Sequence, residues 1–190
     1  EDKDIFIFEH KQEDNIPYRS LVFKSALNQI QSQNRLRYYN AEERTKQFPL
    51  SKEINKKTLM ETKKGTVVGM DETYLSFEFH RIMIAGLSLI GDKTDLSQGM
   101  KALVLGGGAC ILSKFLYHHF PESTIDTVEL SNSIVKASKI YFEWPNDAKR
   151  FNVIRDDALE YVNKVAPSTT TQQPKADNEE SKDGDSQPTG

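Results

Sequence analysis

Between residues 100 and 165 the chain alternates strand and helix three times, and this alternation restricts its fold more than any other feature of the sequence. Lys101-Ala-Leu-Val-Leu105 is short and nearly all apolar, the pattern of a strand covered on both faces. Gly106-Gly107-Gly108 turns the chain into a helix from about Cys110 to His119, closed by Pro121. Thr124–Glu129 reads as a second strand, and Ser131 can cap a helix to about Phe142 with Ile134, Val135 and Ala137 facing inward. Phe151–Ile154 is a third strand, after which Asp156-Asp157 opens a third helix, Ala158–Val165. Strands spaced by helices at this interval predict an α/β fold with a parallel sheet and right-handed crossovers.

The flanking sequence is less regular. Residues 4–8, 18–23 and 28–36 read as strands, with turn chemistry at Asp14-Asn15-Ile16-Pro17, and predict a small antiparallel β element over residues 1–36. Three short strands need another surface to pack on. Residues 37–73 are polar and dotted with lysines, and read as a solvated linker with some helix. Residues 74–166 hold the α/β half-domain, led by an amphipathic helix over 74–91 with Phe77, Ile82, Ile84, Leu87 and Ile90 near helical spacing. His80 in that helix reads as a packing residue. The tail, 167–190, is acidic and rich in Pro, Ser, Thr and Gln, the composition of a disordered segment.

Charge excludes one class of function. The chain carries a formal net charge of −3, and the tail alone accounts for it, leaving residues 1–166 neutral. A nucleic-acid binder needs a concentrated basic surface, which this body lacks. One cysteine, Cys110, allows neither an internal disulfide nor a multi-cysteine zinc site, and no metal is expected; Cys110, His118 and His119 read as structural. The apolar runs fall short of a membrane span. The acidic start, Glu1-Asp2-Lys3-Asp4, is unlike a signal peptide and lacks an initiator Met, so a piece of a longer, cytoplasmic protein is expected.

Three positions fall at the carboxyl ends of successive strands: Gly106, Gly107 and Gly108, then Glu129, then Asp157. Ligands of open α/β sheets bind in the crevice outside those ends. Glycines let the backbone turn tightly and a ligand approach it. A carboxylate ending the second strand can accept both ribose hydroxyl protons, and one after the third can accept from the adenine amine. Each alone has a plainer reading: a tight turn, a solvated strand end, a helix N-cap. Together they describe a pocket for an adenosine-containing cofactor. Ile111 stands where the dinucleotide fingerprint needs its third glycine. The acidic Asp156-Asp157 start of the third helix favours a cofactor with a positive sulfonium, S-adenosylmethionine, over one with a pyrophosphate.

The segments Val104–Cys110, Asp126–Leu130 and Asp156–Val162 resemble class I methyltransferases of the spermidine-synthase-like branch. Tyr18–Phe23, Gln29–Leu36 and His80–Leu87 are similar to the C-terminal module of the methyltransferase-like protein 13 family, dual methyltransferases of translation elongation factor 1-alpha. The resemblance covers about residues 3–36 and 74–165. It implies a Rossmann-like class I fold and S-adenosylmethionine as cofactor. It places Gly106, Gly107 and Gly108 at the methionine end, Glu129 on the ribose, Asp157 on the adenine amine, and the Ala158 main chain beside it. It further implies elongation factor 1-alpha as protein substrate, methylated on its N-terminal α-amine or on a lysine. The sequence names no catalytic residue. Oligomeric state stays open, a homodimer among the options.

Two departures separate the chain from polyamine synthases. Ala109 replaces an acid that continues their glycine loop, and Arg81 and Ile82 replace Gln and Glu in their Tyr-Gln-Glu-Met segment. Ammonium groups of a polyamine would lack acceptors there, so an aminopropyltransferase is the second reading. A non-catalytic methyltransferase-like scaffold is the third. A class I sheet normally has seven strands and only its first three are expected here, so the chain reads as a fragment ending in an expanded loop, with weak cofactor binding and no turnover of its own.

Overall fold

A computed structural model describes residues 4–48, 60, 63–89 and 95–166. Four antiparallel strands, β1 (Ile5–Lys11), β2 (Pro17–Phe23), β3 (Ile30–Asn40) and β4 (Thr66–Met70), lie in the order β1-β2-β3-β4. Three parallel strands follow, β5 (Lys101–Leu105), β6 (Thr124–Glu129) and β7 (Phe151–Arg155), in the order β5-β6-β7. The helices are α1 (Ala41–Gln47), α2 (Glu78–Gly86), α3 (Ile111–His119), α4 (Asn132–Tyr141) and α5 (Ala158–Val165).

The turn chemistry before β2 acts as expected: Asn15 takes φ +59°, and the Asp14 carboxylate accepts from the Ile16 amide at 2.9 Å. The segment 37–73, expected as a linker, instead extends the antiparallel sheet. β3 runs on to Asn40, whose side chain accepts from the Glu42 and Glu43 amides and caps α1. β4 then returns beside β3 with Leu36 opposite Met70. Gly65, at φ +79°, makes the turn into the β-branched run Thr66-Val67-Val68. The lysines around that run conceal a five-residue strand. The tail predicted to be disordered, 167–190, lies outside the described residues.

The surface that the small sheet needs is the α/β half. Leu21, Leu36, Val68 and Met70 share one core with Ala109, Ile111, Ala137 and Phe142. Buried Arg19 crosses the same seam, donating to the Tyr141 carbonyl at 2.7 Å while paired with Glu9 at 2.5 Å. Deeper in the seam sit four charges. Arg44 of α1 pairs with Glu72 at 2.8 Å and with Glu143, whose carboxylate also accepts from the Met70 amide at 3.1 Å. Lys114 of α3 is fully buried, donates to the Phe142 carbonyl and stands 4.0 Å from Glu72. Two cations and two carboxylates balance, which is the condition for burying charge at all. A Cβ on Gly69 would come within 2.8 Å of the Arg44 guanidinium, so the strand is bare where the ion group passes.

Two more expectations change. The helix predicted over 74–91 is α2 with a 3-10 turn at Leu87–Leu89. Ile84 packs on the core, but Ile82 is 65% exposed and does not share its face. Ile90 lies outside the described residues. β5, read as covered on both faces, exposes Leu103 and Leu105 on one of them.

Candidate functional site

Parallel pairing puts the carboxyl ends of the three strands on one edge, with Leu105 beside Val128, Val128 beside Ile154, and Glu129 beside Arg155. The loop after β5 is held at every amide. Gly106 and Gly107 both donate to the Val128 carbonyl, at 2.9 and 3.0 Å. Gly108 donates to Glu129 Oε2 at 2.9 Å, Ala109 to the Ser32 hydroxyl at 3.0 Å, and Cys110 to the Gly107 carbonyl at 2.8 Å.

The three glycines are required for three different reasons. Gly106 has φ +78°, is exposed, and would leave a Cβ in open space. A Cβ on Gly107 would collide with the Thr127 methyl of β6. Gly108 combines φ +53° with Gln31 Nε2 and Ser32 Oγ at 2.7 and 2.9 Å from its Cβ position. Of the three, Gly106 is exposed, Gly107 half-buried and Gly108 buried, so the most open backbone is at Gly106. The freedom of the other two serves the protein's own packing.

Glu129 is 8% exposed, and its second oxygen accepts from the Ser131 amide at 2.8 Å. Both oxygens are therefore oriented by main-chain donors, and each keeps a further lone pair for a hydroxyl. Asp157 is the N-cap of α5: Oδ1 accepts from the Leu159 and Glu160 amides at 2.9 and 3.0 Å. Oδ2 has no hydrogen-bond partner among the described residues. Ala158 begins α5 and is half-buried. Glu129 faces Arg155 across the register and Asp157 lies two residues beyond Arg155, so the loop, Glu129 and Asp157 share one rim.

The charge argument from Asp156-Asp157 does not carry. Asp156 pairs with Lys164 at 2.8 Å, and that hydrogen bond holds its carboxyl below the usual range, so its charge is already countered. The loop gives a better criterion. With all five amides from Gly106 to Cys110 engaged, a pyrophosphate would have to reach into α3, where Ile111 and Ser113 are buried. A cavity of about 890 Å³ lies elsewhere, between α4, β7 and Trp144, and none of the six candidate residues lines it. Among the described residues no three His, Cys, Asp or Glu side chains gather as a metal site requires. Cys110 is buried, and burial pushes its thiol up to about 12.

Sequence reasoning missed Gln31 and Ser32. They come from the antiparallel sheet yet touch the glycine loop, and nothing in a polar strand marks such a contact across 77 residues.

No family model matches the chain. It is 31% identical over 163 residues, 80% of its length, to the eEF1A lysine and N-terminal methyltransferase of Xenopus laevis. It is 30% identical over 171 residues to the human protein of that name. The chain spans 22% and 23% of the length of these relatives. A probable spermidine synthase from Corynebacterium glutamicum superposes over 85% of this chain and 45% of its own, with TM-score 0.51 and 17% identity, and shows the shared fold. Human methyltransferase-like protein 13 in complex with S-adenosylhomocysteine aligns over 50% of this chain and 43% of its own at 32% identity, TM-score 0.45. The chain is thus homologous to a segment of the eEF1A methyltransferases and has a spermidine-synthase-like α/β fold.

Proposed function

We propose that this homologue of the eEF1A methyltransferases carries the adenosine-gripping part of an S-adenosylmethionine-dependent protein methyltransferase. The observation that carries the reading is the pair of oriented carboxylates beside a loop whose amides are spent. Glu129 keeps lone pairs for two ribose hydroxyls, Asp157 Oδ2 for the adenine amine, and exposed Gly106 leaves backbone open to the methionine end. Ala158 would lend its main chain to the base. A nucleoside without phosphate matches that donor and acceptor set. When bound, S-adenosylmethionine supplies an electrophilic methyl group on its sulfonium.

The acceptor is elongation factor 1-alpha, the substrate for which the relatives are named, and a cytoplasmic site of action goes with it. Its amine must arrive neutral. An α-amine with a pKa near 7.7–8.0 is about a tenth neutral at pH 7, so the acceptor needs positioning and a dry site more than a strong base. The second reading, aminopropyl transfer, fits less well. Ala109 is fully buried with its amide on Ser32, and Ile82 lies exposed on α2, so neither position offers an ammonium an acceptor.

Calorimetric titration tests the reading. S-adenosylhomocysteine is expected to bind the 190-residue chain. Binding should weaken about tenfold or more in Glu129→Ala, which removes two hydroxyl acceptors, and less in Asp157→Ala. Binding of methylthioadenosine in preference to S-adenosylhomocysteine would favour the aminopropyltransferase. No binding of either would sink both.

A further inference from the structure

The loop that faces the proposed cofactor is not held by its own half of the molecule alone. Four of its five amides bond to β6 or to the loop itself. The fifth, Ala109, is buried in the shared core and bonds to Ser32 of β3. Ser32 is 5% exposed, and its hydroxyl is committed in both directions: it accepts from Ala109 at 3.0 Å and donates to Gln31 Oε1 at 2.5 Å. The same hydroxyl and the Gln31 amide occupy the space where Gly108 would carry a side chain. Cys110, next in line, holds φ +58° as the N-cap of α3, and its side chain makes no capping bond. A left-handed non-glycine residue needs its surroundings to fix it. Ser32 is the group of the antiparallel sheet that bonds the residue just before it.

We infer that Ser32 is a positioning residue: its hydroxyl, delivered by the antiparallel sheet, sets the Gly108-Ala109-Cys110 backbone, so the two sheets shape the cofactor rim as one unit. This rests on the cofactor reading for its functional meaning, but the positioning itself can be read without ligand. With Ser32 reduced to a methyl, the Ala109 amide loses its acceptor in a site without water access, and the loop must move to find another.

The experiment compares wild type, Ser32→Ala, Ser32→Thr and Gly108→Ala in the 190-residue chain. Two quantities are read: S-adenosylhomocysteine affinity by calorimetry, and hydrogen exchange of individual loop amides by nuclear magnetic resonance. Ser32→Ala is expected to weaken affinity about tenfold. It should release Ala109 to exchange while Gly106 and Gly107 stay protected on the Val128 carbonyl. Ser32→Thr, which keeps a hydroxyl, should restore both. Gly108→Ala pushes Ser32 aside and should release Ala109 by the opposite route.

The inference is overturned if Ser32→Ala leaves Ala109 protected, if it releases Ala109 with affinity unchanged, or if Ser32→Thr behaves like Ser32→Ala. Should wild type bind no S-adenosylhomocysteine, the cofactor reading fails by itself. Ala109 exchange then decides the positioning role: release in Ser32→Ala upholds it and equal protection ends it.

Discussion

The two faces of the parallel sheet are finished very differently. Parallel register puts Ile125, Thr127 and Phe151 on one face, and these are at most 5% exposed. Leu103 and Leu105 lie on the other at 43% and 48% exposed, although Val128, beside Leu105 on that face, is buried. The first face has α3, α4 and the core shared with the antiparallel sheet; the second has α5, which itself exposes Leu159 and Val165. The difference separates the two carboxylates of the rim. Glu129 is anchored toward the closed side through Gly108 and Ser131, and the loop beside it is braced by Ser32. Among the described residues Asp157 is anchored only within α5 and its approach. A ligand would meet one fixed wall and one lightly held one.

The largest effect should come from the buried charges behind the closed face. Glu143→Ala leaves Arg44 and Lys114 with one carboxylate between them, and is expected to cost about 3–5 kcal/mol of stability by denaturant unfolding. A cost below about 1 kcal/mol would mean that the seam is hydrated, and the contrast between faces would lose its basis.

Next come paired truncations across the sheet. Ile125→Ala empties a fully buried position and should cost about 2–5 kcal/mol. Leu105→Ser on the open face should stay within about 0.5 kcal/mol and raise solubility. Equal costs would show that the open face is buried in solution, by self-association or otherwise, and sedimentation at two concentrations would separate these cases.

The effect smallest at neutral pH belongs to Cys110, whose contribution changes only in alkali. Burial raises the Cys110 thiol to about 12 from an ordinary 9.0. The folded chain keeps the thiol proton that the unfolded chain has lost. The contribution is therefore intact below pH 9 and falls with a slope of about 1.4 kcal/mol per pH unit as pH climbs toward 12. Cys110→Ala keeps the same backbone demand and should flatten the unfolding free energy across that window. An unchanged slope would place the thiol in contact with water.

The α/β half was legible because each signal there is local. The β-branched and aliphatic runs of β5, β6 and β7 are bounded by glycines, by Ser131 and by Asp157, and the N-caps fall on the residues predicted. The rim was legible for the same reason, since strand ends follow from strand positions. What the sequence concealed depends on partners far along the chain. Thr66-Val67-Val68 becomes a strand only through its register with Tyr38–Asn40. Lys114 lies on an amphipathic helix and would be read as solvated, yet it is buried by Glu72 and by Phe142. Ser32 looks like one polar residue among several in β3. Its role appears only when the glycine loop arrives above it.

The charged seam also bears on how the protein can be taken apart. Glu143 and Lys114 belong to the α/β half, while Arg44 and Glu72 arrive from the strands and helix before it. A shortened chain beginning at Tyr74 would strand an ammonium and a carboxylate side by side in a pocket shaped for four ions, and would strip Ala109 of its acceptor too. Excision along the seam between the sheets would therefore yield two insoluble pieces rather than two modules.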